Sequence, residues 1–154
     1  MNFKSLGIQN PILNALEKQG YTHPTSIQQE AIPIVLQGKD VLACAQTGTG
    51  KTAAFAVPIL QKLFKSRNHQ NGHRPVQALV VCPTRELAIQ VAESFTEYGK
   101  GSGIRNTTIY GGVSQKPQVK ALRKGVDVVV ATPGRLLDLL RQGVLSLADV
   151  KYLV

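Results

Sequence analysis

Apolar positions along this chain fall into two rhythms. In the first forty residues they recur at helical spacing. Ile12, Leu13 and Leu16 follow Asn10-Pro11 and precede Gly20, which predicts a helix with a cap, a first-turn proline and a C-terminal glycine. Residues 25–37 predict a second helix that stops at Gly38 and is kinked at Pro33. From Asp40 onward short apolar runs take over, at 41–45, 78–82, 107–110, 126–131 and 151–154. They are mostly unalternated, as strands buried on both faces are. Residues 51–64, 84–100, 114–124 and 133–142 lie between them and read as helices. In the second of these, Leu87, Val91, Phe95 and Tyr98 recur at helical spacing. Strand and helix in alternation predict an α/β fold, a parallel β-sheet flanked by helices with right-handed crossovers. Ligands of such sheets bind at the carboxyl ends of the strands. Residues 65–75 read as a polar surface loop, and no internal repeat or low-complexity tract is present.

Composition narrows the class. A chain of 154 residues, 43% apolar, is long enough to bury a core without disulfides or metals. No apolar run approaches the roughly 18 residues that a membrane helix needs, and the start, Met1-Asn2-Phe3-Lys4, lacks the pattern of a secretory signal. Cys44 and Cys82 each sit within an apolar run, which predicts buried reduced thiols and a cytoplasmic location. Eighteen Lys and Arg against nine Asp and Glu give a net charge of +9. That surplus points to a polyanionic partner, nucleic acid ahead of a membrane surface. The basic residues are spread along the chain, which argues against a disordered basic tail.

The most specific chemistry lies in Ala45-Gln46-Thr47-Gly48-Thr49-Gly50-Lys51-Thr52, which follows the first expected sheet strand and opens a helix. Gly48 and Gly50 let the backbone wrap closely round a phosphate with N–H groups aimed inward. The helix beginning near Lys51 adds its positive end. Lys51 would reach the β- and γ-phosphates as a point charge, and the Thr52 hydroxyl would join the shell of a Mg²⁺ ion. The general pattern has glycine where Ala45 stands; the strand before and helix after supply the context.

With this loop the chain resembles the amino-terminal RecA-like domain of the DEAD-box ATP-dependent RNA helicases, of the bacterial helicase-E type. Alanine at the first loop position is usual in that family. Upstream, Gly20-Tyr21-Thr22-His23-Pro24-Thr25-Ser26-Ile27-Gln28 is similar to the family's Q motif, with Phe3 isolated before it. The resemblance implies that the Gln28 amide reads the adenine edge, that Tyr21 stacks on the base and that Phe3 supports that wall. An amide does offer a base one donor and one acceptor, although Thr25-x-x-Gln28 is equally a capping box that needs no ligand.

Downstream, Pro83-Thr84-Arg85-Glu86-Leu87-Ala88 resembles motif Ia, Gly111-Gly112 the GG element, and Thr132-Pro133-Gly134-Arg135 motif Ib. In the family these grip the RNA sugar-phosphate backbone. Their residues have the chemistry a phosphate wants. Thr84 and Thr132 offer hydroxyls at helix starts, the glycines permit close approach, and Arg85 and Arg135 carry guanidinium forks. Backbone contacts imply little sequence specificity. Thr132-Pro133 alone would read as a simple N-cap with proline at the first helical position.

The resemblance places a boundary at residue 38, a helical Q-motif segment at 1–38 and a partial RecA-like ATP-binding domain at 39–154. The final run at 151–154 looks like the opening of the strand that carries the Asp-Glu-Ala-Asp motif, so the fold is expected to be incomplete at its C-terminus. The Ser-Ala-Thr motif and the second RecA-like domain, a partner in closing on RNA, are likewise not in the chain. Asp127, Asp138 and Asp149 are expected to be solvated rather than to replace the missing carboxylates. Lys51 and Thr52 are the candidate catalytic residues, ATP and Mg²⁺ the expected cofactors, and hydrolysis by this stretch alone is not expected. Two alternatives stay open: a non-catalytic nucleotide- and RNA-binding module, and a different P-loop NTPase.

Overall fold

The computed structural model describes residues 1–67 and 74–154. Its helices, in chain order, are α1 (Ile12–Lys18), α2 (Ser26–Leu36), α3 (Lys51–Lys65), α4 (Arg85–Tyr98), α5 (Lys116–Lys124) and α6 (Pro133–Arg141). The strands are β1 (Ala78–Val81), β2 (Asn106–Ile109), β3 (Val128–Ala131) and β4 (Tyr152–Leu153). Of the polar loop expected at 65–75, residues 68–73 lie outside the described residues, and Lys65 closes α3.

Local sequence sets the helix ends. After α1 the Gly20 N–H donates to the Glu17 carbonyl and the Tyr21 N–H to the Leu16 carbonyl, at 3.0 Å each. This is the double bond of a Schellman ending, and it needs φ of +81° at residue 20, which glycine adopts without a Cβ penalty. The ends of α2 and α6 close the same way over Gly38 and Gly143. Pro11 occupies the N-cap of α1 instead of its first turn, after a cis Asn10–Pro11 bond. Helix α2 runs through Pro33 to Leu36.

The chain divides into two compact units, Met1–Arg67 with Ser94–Gly103, and Asn68–Glu93 with Ile104–Val154. In the first, α2 packs along α3, and α1 touches α3. Ile12, Leu16, Ile32, Leu60 and Phe95 are essentially inaccessible there. Each such side chain contributes roughly 1.5–3 kcal/mol of transfer free energy. Phe55 and Phe95 meet as tilted rings with centroids 6.3 Å apart.

The second unit holds a parallel four-stranded sheet in the order β2-β3-β1-β4. β3 lies between β2 and β1, and all four of its residues are buried. Leu79, Ile109, Val129 and Ala131 form one core with Val119 of α5 and with Leu136 and Leu139 of α6. Val128 and Val130 point to the opposite face and are equally buried. The unbroken apolar run of β3 follows from burial on both faces; β2, at the sheet edge, is only half-buried except at Ile109.

Three expectations are corrected. Residues 41–45 form no strand among the described residues, and Leu42 is fully exposed. Apolar composition favours a strand, but a strand exists only through a ladder with a neighbour, and none of β1 to β4 pairs with this segment. Cys44, within it, is therefore exposed, whereas Cys82 is buried and its thiol is pushed up from the ordinary range by that burial. Asp138 and Asp149 are solvated, but Asp127 is not. Its Oδ2 accepts the Arg105 backbone N–H at 2.8 Å and pairs with Arg74 at 3.3 Å. The carboxylate thus ties the entry of β3 to the entry of β2. No helix among the described residues is long and apolar enough to cross a membrane.

Asp127→Ala should lower unfolding free energy by about 1.5–3 kcal/mol, the usual range for hydrogen bonds to a charged group. Asp127→Asn keeps an acceptor for the Arg105 amide and should cost less. Urea denaturation measures both; an alanine variant within about 0.5 kcal/mol of wild type would contradict this role.

Candidate functional site

The phosphate-loop candidates lie in the first unit, on the turn that leads into α3. Gly50 is the N-cap of α3 and sits in the left-handed region, with φ of +81°. Side-chain donors engage the carbonyls around the turn. Lys51 Nζ donates to the Ala45 carbonyl at 2.6 Å and Thr49 Oγ1 to that of Gln46 at 2.6 Å. Thr25 Oγ1 donates to the Thr49 carbonyl at 2.8 Å, and Gln28 Nε2 to the Gly50 carbonyl at 3.1 Å. Among the described residues the N–H groups of Thr47, Gly48, Thr49 and Gly50 donate to no carbonyl or side chain. Four of the carbonyls around the turn are occupied, and its N–H groups are available. Together with the unpaired N–H groups of the first turn of α3, these donors have the chemistry to receive an anion.

Gln28 works inside this arrangement. It is fully buried, forms the capping box of α2 with Thr25, and accepts the Thr25 N–H on Oε1 at 3.0 Å. A Cβ at residue 50 would collide with its carboxamide. The cap and the loop contact are made together, so the two readings of Thr25-x-x-Gln28 are not exclusive. One carboxamide proton and one lone pair remain after these two bonds.

Tyr21 follows the α1 ending directly, and its hydroxyl is 3.0 Å from that of Tyr98. Their rings meet edge to face, with centroids 5.5 Å apart and planes at 82°. Burial, and then the bond to Tyr21, push the Tyr98 hydroxyl above its ordinary value, so it stays protonated. Tyr98 was visible in the sequence only as part of an apolar helical stripe; its anchoring of Tyr21 was not. Phe3 is 1% exposed, which limits any part in the site to packing. Thr52 is half-buried on the first turn of α3. No group of three or more His, Cys, Asp or Glu among the described residues could hold a metal ion.

The other candidates lie in the second unit. The sheet register sets Val81, Ala131 and Ile109 abreast. Residues 83–85, 132–135 and 110–112 therefore leave the sheet along one edge. Arg85 reaches the loop after β2: its guanidinium lies 5.8 Å from the Tyr110 ring centre, within cation–π range. A Cβ on Gly112 would sit 3.7 Å from Arg85 Nη1. Arg85 is half exposed, with only a loose 3.8 Å approach to Glu86. Thr84 caps α4 by accepting the Leu87 N–H at 3.2 Å, which leaves its proton to donate. Thr132 is the N-cap of α6 with Pro133 following, but its hydroxyl makes no capping bond. Pro83, Gly111 and Gly134 are exposed, and nothing lies within 4 Å of a Cβ at either glycine.

Arg135 is engaged within the fold. Its Nη2 donates to the Val113 carbonyl at 2.7 Å and its Nη1 to Gln118 Oε1 at 3.2 Å. Gln118 Nε2 in turn donates to the Tyr110 carbonyl at 3.0 Å. The Arg135 fork is thus used to hold the loop after β2 to α5 and α6. Gln118, buried on the inner face of α5, is a residue that the sequence did not single out. A polar residue beside Val119 on an apolar face was its only signal.

A parallel sheet with a Gly-Lys-Thr loop opening a helix is the architecture of a RecA-like P-loop protein. The DEAD/DEAH box helicase family model matches residues 25–154, and the chain belongs to that family. Over all 154 residues it is 44% identical to the DEAD-box ATP-dependent RNA helicase CshA of Streptococcus pneumoniae, in strains TIGR4 and R6. The chain spans 28% of the length of those relatives. A crystal structure of a DEAD box protein from the hyperthermophile Methanococcus jannaschii matches with a TM-score of 0.88 and 42% identity. That match covers 99% of this chain and 40% of the other.

Gly50→Ala should be costly twice over. A left-handed residue with a Cβ costs about 1–2 kcal/mol, and the new methyl displaces the Gln28 carboxamide. Urea denaturation should show the loss of stability, and titration with a fluorescent ATP analogue should show loss of binding. Wild-type affinity would mean that the Gln28 tie to the loop is dispensable.

Proposed function

We propose that this chain is the ATP- and RNA-binding part of the first RecA-like domain of an ATP-dependent RNA helicase. The observation that carries this reading is the row of unengaged N–H groups from Thr47 to Gly50, flanked by the Ala45, Gln46, Thr49 and Gly50 carbonyls that side-chain donors hold. An anion of several oxygens is the ligand such a row accommodates. The names of the helicase relatives and the family match agree with it.

In this reading Gly48, Thr49, Gly50 and Lys51 cradle the phosphates of ATP, with support from Ala45, Gln46 and Thr47. Lys51 exchanges its Ala45 carbonyl for phosphate oxygens, a move that replaces a neutral partner by a charged one. Thr52 supplies one hydroxyl to Mg²⁺, which would neutralise phosphate charge when bound. The base lies beside Tyr21, whose orientation Tyr98 holds through the hydroxyl pair. Gln28, fully buried against the loop, would bring its remaining donor and acceptor to the adenine edge once the loop over it shifts. RNA runs along the sheet edge of the second unit, with phosphates at Thr84, Arg85, Gly111, Gly112, Thr132 and Gly134. Open space above Gly111 and Gly134 supports that placement, and Arg135 contributes by fixing the loop. Hydrolysis and strand separation belong to the whole protein, closing with a second RecA-like domain around the strand. A cytoplasmic location suits this work.

Lys51→Ala should weaken binding of an ATP analogue about tenfold to a hundredfold, the value of a charged hydrogen bond, and leave RNA affinity unchanged. Gln28→Ala should let GTP compete as well as ATP. If GTP already competes equally with the wild-type chain, adenine recognition by this segment is wrong.

Gly134→Ala should be neutral or slightly stabilising, since residue 134 is helical and its Cβ meets open space. It should nonetheless weaken RNA binding by filling that space. RNA affinity should also fall steeply with salt, and Arg85→Ala should lower it alike for all sequences. Fluorescence anisotropy across a salt series tests all three, and salt-independent binding would rule out the phosphate rim.

A further inference from the structure

Helix α5 carries Lys116, Lys120, Arg123 and Lys124 and no acidic residue. All four are exposed or half-exposed, while Gln118 and Val119 are buried and Leu122 packs on the core. At 100° per residue the four basic positions fall within an arc of about 100° on the face opposite the core, along about 12 Å of helix. No ion pair with these four occurs among the described residues.

Such a face is unfavourable for an isolated helix. Lys116–Lys120 and Lys120–Lys124 are like charges at i, i+4, each pair costing about 0.2–0.5 kcal/mol. Arg123 and Lys124 have a structural use, since cations near a helix C-terminus meet the negative end of its dipole. Lys116 has the reverse problem: it sits in the first turn, at the positive end. Lys116 and Lys120 thus have no stabilising role in the fold, and a solvated face of ordinary composition would mix both signs.

The position of the helix supplies the partner. α5 is joined to the loop after β2 through Gln118 Nε2 and the Tyr110 carbonyl, at 3.0 Å. Through Arg135, bonded both to Gln118 and to the Val113 carbonyl, the same loop is fixed to α6. The basic face and Gly111-Gly112 therefore belong to one hydrogen-bonded body, with the helix leading away from the glycines.

We propose that the outer face of α5 is a second phosphate-binding track, which takes the RNA strand where it passes beyond the Gly111-Gly112 loop. Lys116 and Lys120 are its informative residues. Their ammonium groups neutralise phosphodiester charge without reading bases, so the track lengthens the bound segment without adding sequence preference. The proposal rests on the RNA reading of the sheet edge.

The test compares the wild-type chain with a Lys116→Gln/Lys120→Gln double variant, both checked for unchanged circular dichroism. Each is titrated by fluorescence anisotropy with a short oligouridylate, sized to the sheet edge, and with a long one, over a range of salt. For the long RNA the double variant should bind several-fold more weakly at low salt. Its slope of log affinity against log salt should be shallower by roughly 0.7 for each lost single-strand phosphate contact. The short RNA should show neither change. Equal slopes for both proteins on the long RNA would overturn the track while leaving the edge reading intact. Failure of the wild-type chain to bind either RNA would instead overturn the edge reading and the track with it. Polyglutamate of matched charge is the third arm: if it binds as tightly as the long RNA and loses as much in the variant, α5 serves an acidic protein and the RNA assignment is wrong.

Discussion

The parallel pairing of β3 with both β1 and β2 is the constraint on which the second unit depends. β3 contributes four consecutive buried residues, so its register cannot slip without moving Val128 to Ala131 out of their faces. The same register brings Val81, Ala131 and Ile109 level. Three chain segments then emerge side by side, each turning at once into a loop or a helix start. An edge with threonines, glycines and Arg85 is the geometric outcome. Asp127 secures the other end of the same strand, where its carboxylate holds the Arg105 amide and the Arg74 side chain.

In the first unit the corresponding element is the Gln28 carboxamide. It satisfies the start of α2 and holds the Gly50 carbonyl with the same side chain. Because Gly50 is also the N-cap of α3, one buried amide links the starts of two helices. Recognition and folding use the same atoms here. A substitution at residue 28 would disturb helix capping, loop shape and ligand contact together, and only a specificity measurement separates them.

Much of the candidate site was legible in the sequence because its signals are local. Gly48, Gly50, Lys51 and Thr52 lie on the turn into α3 as their spacing implies, though no strand precedes them among the described residues, and the rim segments follow strands as the alternation implies. The use of Arg135 was not legible because its partners, Val113 and Gln118, are distant in sequence; a guanidinium beside a helix start looks the same whether it faces solvent or a carbonyl. The roles of Gln118 and Tyr98 went unnoticed for the same reason. Their value lies in hydrogen bonds between segments, of Gln118 with Tyr110 and Arg135 and of Tyr98 with Tyr21, and no periodicity reports such a bond.

By itself the sequence determined where helices start and stop, since caps, first-turn residues and left-handed glycines act within four or five positions of one another. It also determined the alternation of strand and helix, and hence a parallel sheet. Only the tertiary structure decided which apolar runs became strands. Residues 41–45 and 128–131 are both apolar, yet one is largely exposed and the other is the buried centre of the sheet. The physical reason is that a helix closes its hydrogen bonds within itself, whereas a strand must find them on a neighbour.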